Sequence, residues 1–135
     1  MYTVLVVDDD EGVRGSVGDM LSRSGYGVLK AADGTSALEL LKTHTVDLLL
    51  TDYRMPGMDG LQLTRQVREA ISGLPVVIMT GYGDLESYLC AASLDVVRYV
   101  GKPVGIRELL RTVRDSVADG ICEKTLQQTR SKNVF

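Results

Sequence analysis

An α/β fold is predicted for this chain: five strands alternating with five helices, in a doubly wound parallel sheet covered on both faces. Three observations predict it. Short apolar runs recur along the sequence, as expected of strands buried on both faces. A stretch with helical periodicity follows each run, and strands separated by helices pair in parallel through right-handed crossovers. The runs also stop in polar residues at Asp8 and Asp9, at Asp52, at Thr80 and at Lys102. In a parallel sheet those ends share one edge, where open α/β sheets place their chemistry.

The first run is Val4 to Val7, ending in Asp8, Asp9 and Asp10. Val13, Val17, Met20 and Leu21 follow with the spacing of a core-facing helix. Gly15 and Gly18 weaken it by about 1 kcal/mol each relative to alanine, and Ser24-Gly25 stops it. Residues 26–31 form a less apolar strand, suited to an edge. Asp33-Gly34 turns the chain, and Ala37, Leu40 and Leu41 mark a short helix with His44 near its end as a surface or capping residue. The third strand, residues 47–52, carries Asp52 into a loop with Pro56, Gly57 and Gly60. Asp59 caps the next helix with Gln62 as capping-box partner, its stripe is Leu63, Val67, Ala70 and Ile71, and Gly73 ends it. Pro75 opens the fourth strand, which ends at Thr80. Asp84 caps a fourth helix with Leu85, Tyr88, Leu89 and Ala92 inward. Residues 96–100 are the fifth strand, ending in Gly101, Lys102 and Pro103. Ile106, Leu109, Leu110, Val113 and Val117 line the last helix.

With 135 residues and 44% hydrophobic content, the chain suits one domain, assigned to residues 1–119. Residues 120–135 are polar, with three cations against one acid, and are read as a tail, a linker or an extension of the last helix. A net charge of −3 argues against a nucleic-acid surface on the domain itself. No apolar run approaches the roughly 18 residues needed to span a bilayer, and the N-terminus does not read as a signal peptide. Cys90 and Cys122 have no metal-like spacing and suit reduced thiols in a cytoplasmic protein.

Three carboxylates crowded at one edge repel, and either raise a pKa or require a cation. A hard divalent ion bound by oxygen answers this; Mg²⁺ suits it because it takes few carboxylates and keeps several waters, with Mn²⁺ as an alternative. Lys102 adds a point charge and Thr80 a hydroxyl donor. Together they fit a tetrahedral anion on Asp52, since phosphoryl transfer needs positioning and charge neutralisation and carboxylates serve as nucleophiles forming aspartyl phosphates.

The motifs VVDDD at 6–10, TDYRMPGMDG at 51–60, VIMTG at 77–81 and YVGKP at 99–103 resemble, in order and spacing, the receiver domain of two-component response regulators. The resemblance covers about residues 3–118. It implies a flavodoxin-like (βα)5 fold with strand order 2-1-3-4-5, and a signalling switch rather than an enzyme. It implies that Asp52 accepts a phosphoryl group from a sensor histidine kinase or a histidine phosphotransfer protein. Asp9 would bind Mg²⁺ directly and Asp8 through water, the main-chain carbonyl of Arg54 would complete the ligands, and Thr80 and Lys102 would hold the phosphoryl oxygens. Tyr99 matches the switch aromatic that moves with the threonine, and the Lys102-Pro103 bond would be cis. Arg54 and Tyr82 match positions that tune phosphoryl lifetime, with Tyr82 expected to restrict attacking water. Leu94-Asp95-Val96 departs from the family, which usually has glycine there. A homodimer through the fourth helix, fifth strand and last helix, with Arg98, Arg107 and Arg111, is the expected assembly face.

Two alternatives are weighed. A degenerate receiver would bind partners without phosphate, but every acid, Thr80 and Lys102 are retained. A haloacid-dehalogenase-type phosphatase would use Asp8-x-Asp10, but position 12 is glycine where that family has threonine, and a cap domain has little room.

Overall fold

The computed structural model describes residues 1–81 and 97–133. Within them the elements run β1 (Thr3–Val7), α1 (Glu11–Arg23), β2 (Gly27–Ala31), α2 (Gly34–Thr43), β3 (Leu48–Asp52), α3 (Gly60–Ala70), β4 (Val76–Thr80), β5 (Val97–Gly101) and α4 (Ile106–Asn133). The strands form one parallel sheet in the order β2-β1-β3-β4-β5. The helix expected from Asp84, together with Tyr82, Cys90 and Leu94-Asp95-Val96, lies outside the described residues.

Alternation along each strand sends neighbouring residues to opposite faces, and both faces are apolar. Val4, Val6, Leu48, Leu50, Val77, Met79 and Val100 pack with Val17 and Leu21 of α1 and Leu109, Val113 and Val117 of α4. Leu5, Val7, Leu49, Val76 and Ile78 pack with Ala37 of α2 and Leu63 and Val67 of α3. Leu48, Leu49 and Leu50 are fully buried, and burying each such side chain stabilises by about 1.5–3 kcal/mol. β2 lies at the sheet edge with Lys30 exposed, a charge that discourages pairing with another strand.

Helix starts follow the short polar side chains. The Asp10 carboxylate accepts from the amides of Gly12 and Val13, and Asp33 accepts from Ser36, so Asp33 caps α2 besides turning the chain. Asp59 and Gln62 form the expected capping box. His44 is the exposed C-cap of α2.

Two expected core positions differ. Ala70 is exposed as the last residue of α3, whereas Ile71, its C-cap, is half-buried and packs on the core. Ile106 is 49% exposed as the first residue of α4, whereas Leu109, one turn on, is fully buried in the core. Gly18, expected only to weaken α1, is buried where a Cβ would lie 2.7 Å from Cε of Lys30. It lets the lysine stem cross the helix. Residues 120–133 continue α4 without a break. Among the described residues no helix is long and apolar enough to cross a membrane.

Candidate phosphoacceptor and cation site

β1, β3, β4 and β5 bring their carboxyl ends to one edge. The backbone ties them: Tyr53 N–H donates to Met79 O at 3.0 Å, and Lys102 N–H donates to Thr80 O at 2.7 Å. Asp52 is in register with Met79, and Thr80 with Gly101. The Lys102-Pro103 peptide is cis.

Asp8 is fully buried and Asp52 nearly so, at 7% exposed, whereas Asp9 is exposed. Lys102 Nζ bridges the two buried acids, 2.9 Å from Asp8 Oδ2 and 3.1 Å from Asp52 Oδ2. The other Asp8 oxygen accepts from the amide of Asp10 at 2.9 Å. One carboxylate oxygen from each of Asp8, Asp9 and Asp52 lies within 4.8 Å of the others. Oxygens sharing an octahedral Mg²⁺ sit roughly 3–4 Å apart, so the set fits a small hard cation with modest contraction or an intervening water.

The electrostatics follow from this crowding. Burial pushes the Asp52 carboxyl above its ordinary 3.8; the hydrogen bond from Lys102 opposes that, while Asp8 and Asp9 add to it. For Lys102, burial disfavours the charge, but the hydrogen bonds and charges of Asp8 and Asp52 outweigh it and hold the ammonium above its ordinary 10.5.

Seven of the site residues expected from the sequence fall within the described residues. The geometry gathers Asp8, Asp9, Asp52 and Lys102 directly, and backbone register sets Thr80 beside them. Arg54 is exposed in the β3–α3 loop, two residues past Asp52. Tyr99 is half-buried on β5, opposite Ile78, and packs on the face covered by α2 and α3. Thr80 follows Ile78 by two residues and therefore belongs to the same face.

Two residues were missed. Gly60, expected in the loop after β3, is instead the first residue of α3, and a Cβ on it would lie 2.3 Å from the Asp52 carbonyl oxygen. Arg14 donates from Nη1 to the Asp8 carbonyl at 2.7 Å. Its position at the start of a helix, where a cation is disfavoured, was the available signal.

Residues 4–114 match the response regulator receiver domain family. This chain belongs to that family. It is thus the receiver domain of a two-component response regulator, a class of signalling switches. The DNA-binding transcriptional regulator NtrC of Escherichia coli is 37% identical over 115 residues, covering 85% of this chain and 24% of that protein. The transcriptional regulatory protein GlrR of the same organism is 34% identical, over 84% of this chain and 26% of that protein. The receiver therefore spans about a quarter of these relatives. Sporulation initiation phosphotransferase F of Bacillus subtilis is 32% identical over 84% of this chain and 89% of its own length. Among solved structures, a putative response regulator from Chloroflexus aurantiacus superposes with a TM-score of 0.81 at 32% identity, over 87% of this chain and 98% of that one.

The expected dimer face carries one internal tie. Arg98 of β5 pairs with Asp119 of α4, so its charge is already engaged within the chain, while Arg107 and Arg111 are exposed.

Proposed function

We propose that this receiver accepts a phosphoryl group on Asp52 in a Mg²⁺-dependent reaction and passes the change to an output through Thr80 and Tyr99. The observation that carries it is one lysine shared by two buried carboxylates, with a third carboxylate open to solvent beside them. Lys102 alone does not neutralise three acids, and a divalent ion would balance the rest.

The cation would be held by Asp9, Asp52 and the Arg54 carbonyl directly, and by Asp8 through water. That division is supported by the hydrogen bonds already made by both Asp8 oxygens. The bound ion supplies charge neutralisation for the carboxylates and the incoming phosphoryl oxygens. Asp52 attacks phosphorus with a carboxylate oxygen, and the bond to the leaving group breaks with its electron pair, giving an acyl phosphate. In the phosphohistidine of a sensor kinase or phosphotransfer protein, that leaving group is the imidazole. Lys102 then exchanges its carboxylate contact for a phosphoryl oxygen, and the Thr80 hydroxyl donates to another. Thr80 and Tyr99 belong to the same sheet face, so a threonine drawn toward the phosphoryl group frees space for the tyrosine. The result is a population shift rather than a released product. Residues 120–135 are proposed to lead to the output region. Cytoplasmic location follows from a kinase donor on that side of the membrane.

Incubation with acetyl phosphate and Mg²⁺, read by intact mass, should add one phosphoryl group per chain, and none once the metal is chelated. Uptake that ignores chelation would contradict the proposal. Mg²⁺ should also raise the melting temperature by mass action. At tenfold over its Kd the gain is about 1.4 kcal/mol, or roughly 5 °C for a chain of this size. A thermal melt unchanged by millimolar Mg²⁺ would count against the cation site.

A further inference from the structure

We propose that Arg14 is a positioning residue for the divalent cation, acting through the backbone that carries Asp9; this rests on the cation site proposed above. Arg14 is the fourth residue of α1, capped by Asp10, and its amide donates to the Asp10 carbonyl at 2.9 Å. A cation there stands against the positive end of the helix dipole, so helix energetics do not account for it. Long helical side chains lean back toward the N-terminus. Arg14 does so, and its Nη1 reaches the Asp8 main-chain carbonyl at 2.7 Å.

That carbonyl belongs to the peptide joining Asp8 to Asp9. Its direction fixes the plane from which Asp9 departs, and so where the Asp9 carboxylate can sit. Asp8 is also pinned by its amide on Ala31 O at 3.2 Å and by both carboxylate oxygens. Asp9 is exposed, and among the described residues its side chain makes no hydrogen bond or ion pair. The clamp one peptide upstream therefore carries its placement.

Arg14 and Lys102 differ in what they touch. Lys102 takes carboxylate oxygens, the atoms a cation needs. Arg14 directs its bond to a neutral carbonyl and leaves those lone pairs open. It adds order to the acidic turn without competing for the ligands.

The two physical effects of Arg14 predict opposite signs. Electrostatics alone says that deleting a positive charge beside a cation site tightens binding. Positioning says that binding weakens. The test is Mn²⁺ titration of the chain, with free ion followed by electron paramagnetic resonance. Arg14→Ala should bind Mn²⁺ about tenfold more weakly, the scale typical of groups that orient metal ligands. Arg14→Lys, which keeps a charged donor, should recover most of that loss. In an Asp9→Asn background, Arg14→Ala should bring no further weakening, because the residue it positions has already been altered. Equal or tighter binding by Arg14→Ala overturns the inference, as does an undiminished tenfold loss in the Asp9→Asn background. If Arg14→Ala fails to fold, Arg14→Gln, whose amide is too short to hold the same carbonyl, carries the same sign test. A parent chain that binds no Mn²⁺ would instead sink the cation site itself, an outcome distinct from any failure of Arg14 alone.

Discussion

Asp52→Asn should take up no phosphoryl group from acetyl phosphate and Mg²⁺, and should nonetheless melt higher than the metal-free parent. The loss is complete because an amide is no nucleophile toward phosphorus under these conditions. The gain follows from burial and from Asp8 and Asp9, which together outweigh Lys102 and disfavour the Asp52 charge. A carboxyl whose folded-state pKa is raised contributes stability that is present below its unfolded value and lost as pH rises through the folded value. At neutral pH the parent has lost that contribution and the asparagine variant has not. The difference should appear as a higher melting midpoint for the variant at neutral pH. It should close as pH falls below about 3.8, where the parent carboxyl is neutral too. Melts of both proteins across pH, with chelator present, check the sign. A variant that melts lower at neutral pH would mean the Lys102 contact dominates the site.

Gly60→Ala should destabilise the domain by about 2–3 kcal/mol, a fall of roughly 10 °C in melting temperature. Helix propensity alone predicts the opposite, since alanine is favoured over glycine by up to about 1 kcal/mol inside helices. Packing reverses that sign. The added methyl would meet the Asp52 carbonyl oxygen at 2.3 Å and Tyr53 Cα at 3.1 Å, both backbone atoms that cannot swing aside. The start of α3 is also tied down, with Gly60 N–H donating to Tyr53 O at 2.8 Å and Thr64 Oγ1 donating to Gly60 O at 2.7 Å. Relief must therefore move the end of β3, which carries the phosphoacceptor. Thermal melts decide it, and a variant as stable as the parent would show that this junction yields more readily than its contacts imply.

These cases also show what could be read from the chain. Strands buried on both faces must be apolar throughout, so Val4–Val7, Leu48–Leu50 and Val76–Met79 announce themselves, and their polar ends mark the site by contrast. Caps are legible because Asp59 and Gln62 act on neighbours within three residues. Gly60 was not, because its requirement comes from an approach between a helix start and a strand end that only the folded chain creates. Gly18 is similar: its reason is Lys30, on another element. Ile106 and Ala70 fit a helical stripe by spacing, but spacing does not say where along a helix the sheet begins or ends. Arg14 falls between these cases, since its sequence position signals a cation against a dipole and only coordinates name its acceptor.

The central claim is that the acids at the sheet edge form a cation-filled cradle in which Asp52 alone is chemically loaded. Locating the phosphoryl group tests it most directly. After treatment with acetyl phosphate and Mg²⁺, the acyl phosphate can be reduced with borohydride and the modified residue found by peptide mapping. The account predicts conversion at Asp52 and nowhere else. Conversion at Asp8 or Asp9, or spread over several acids, would contradict it.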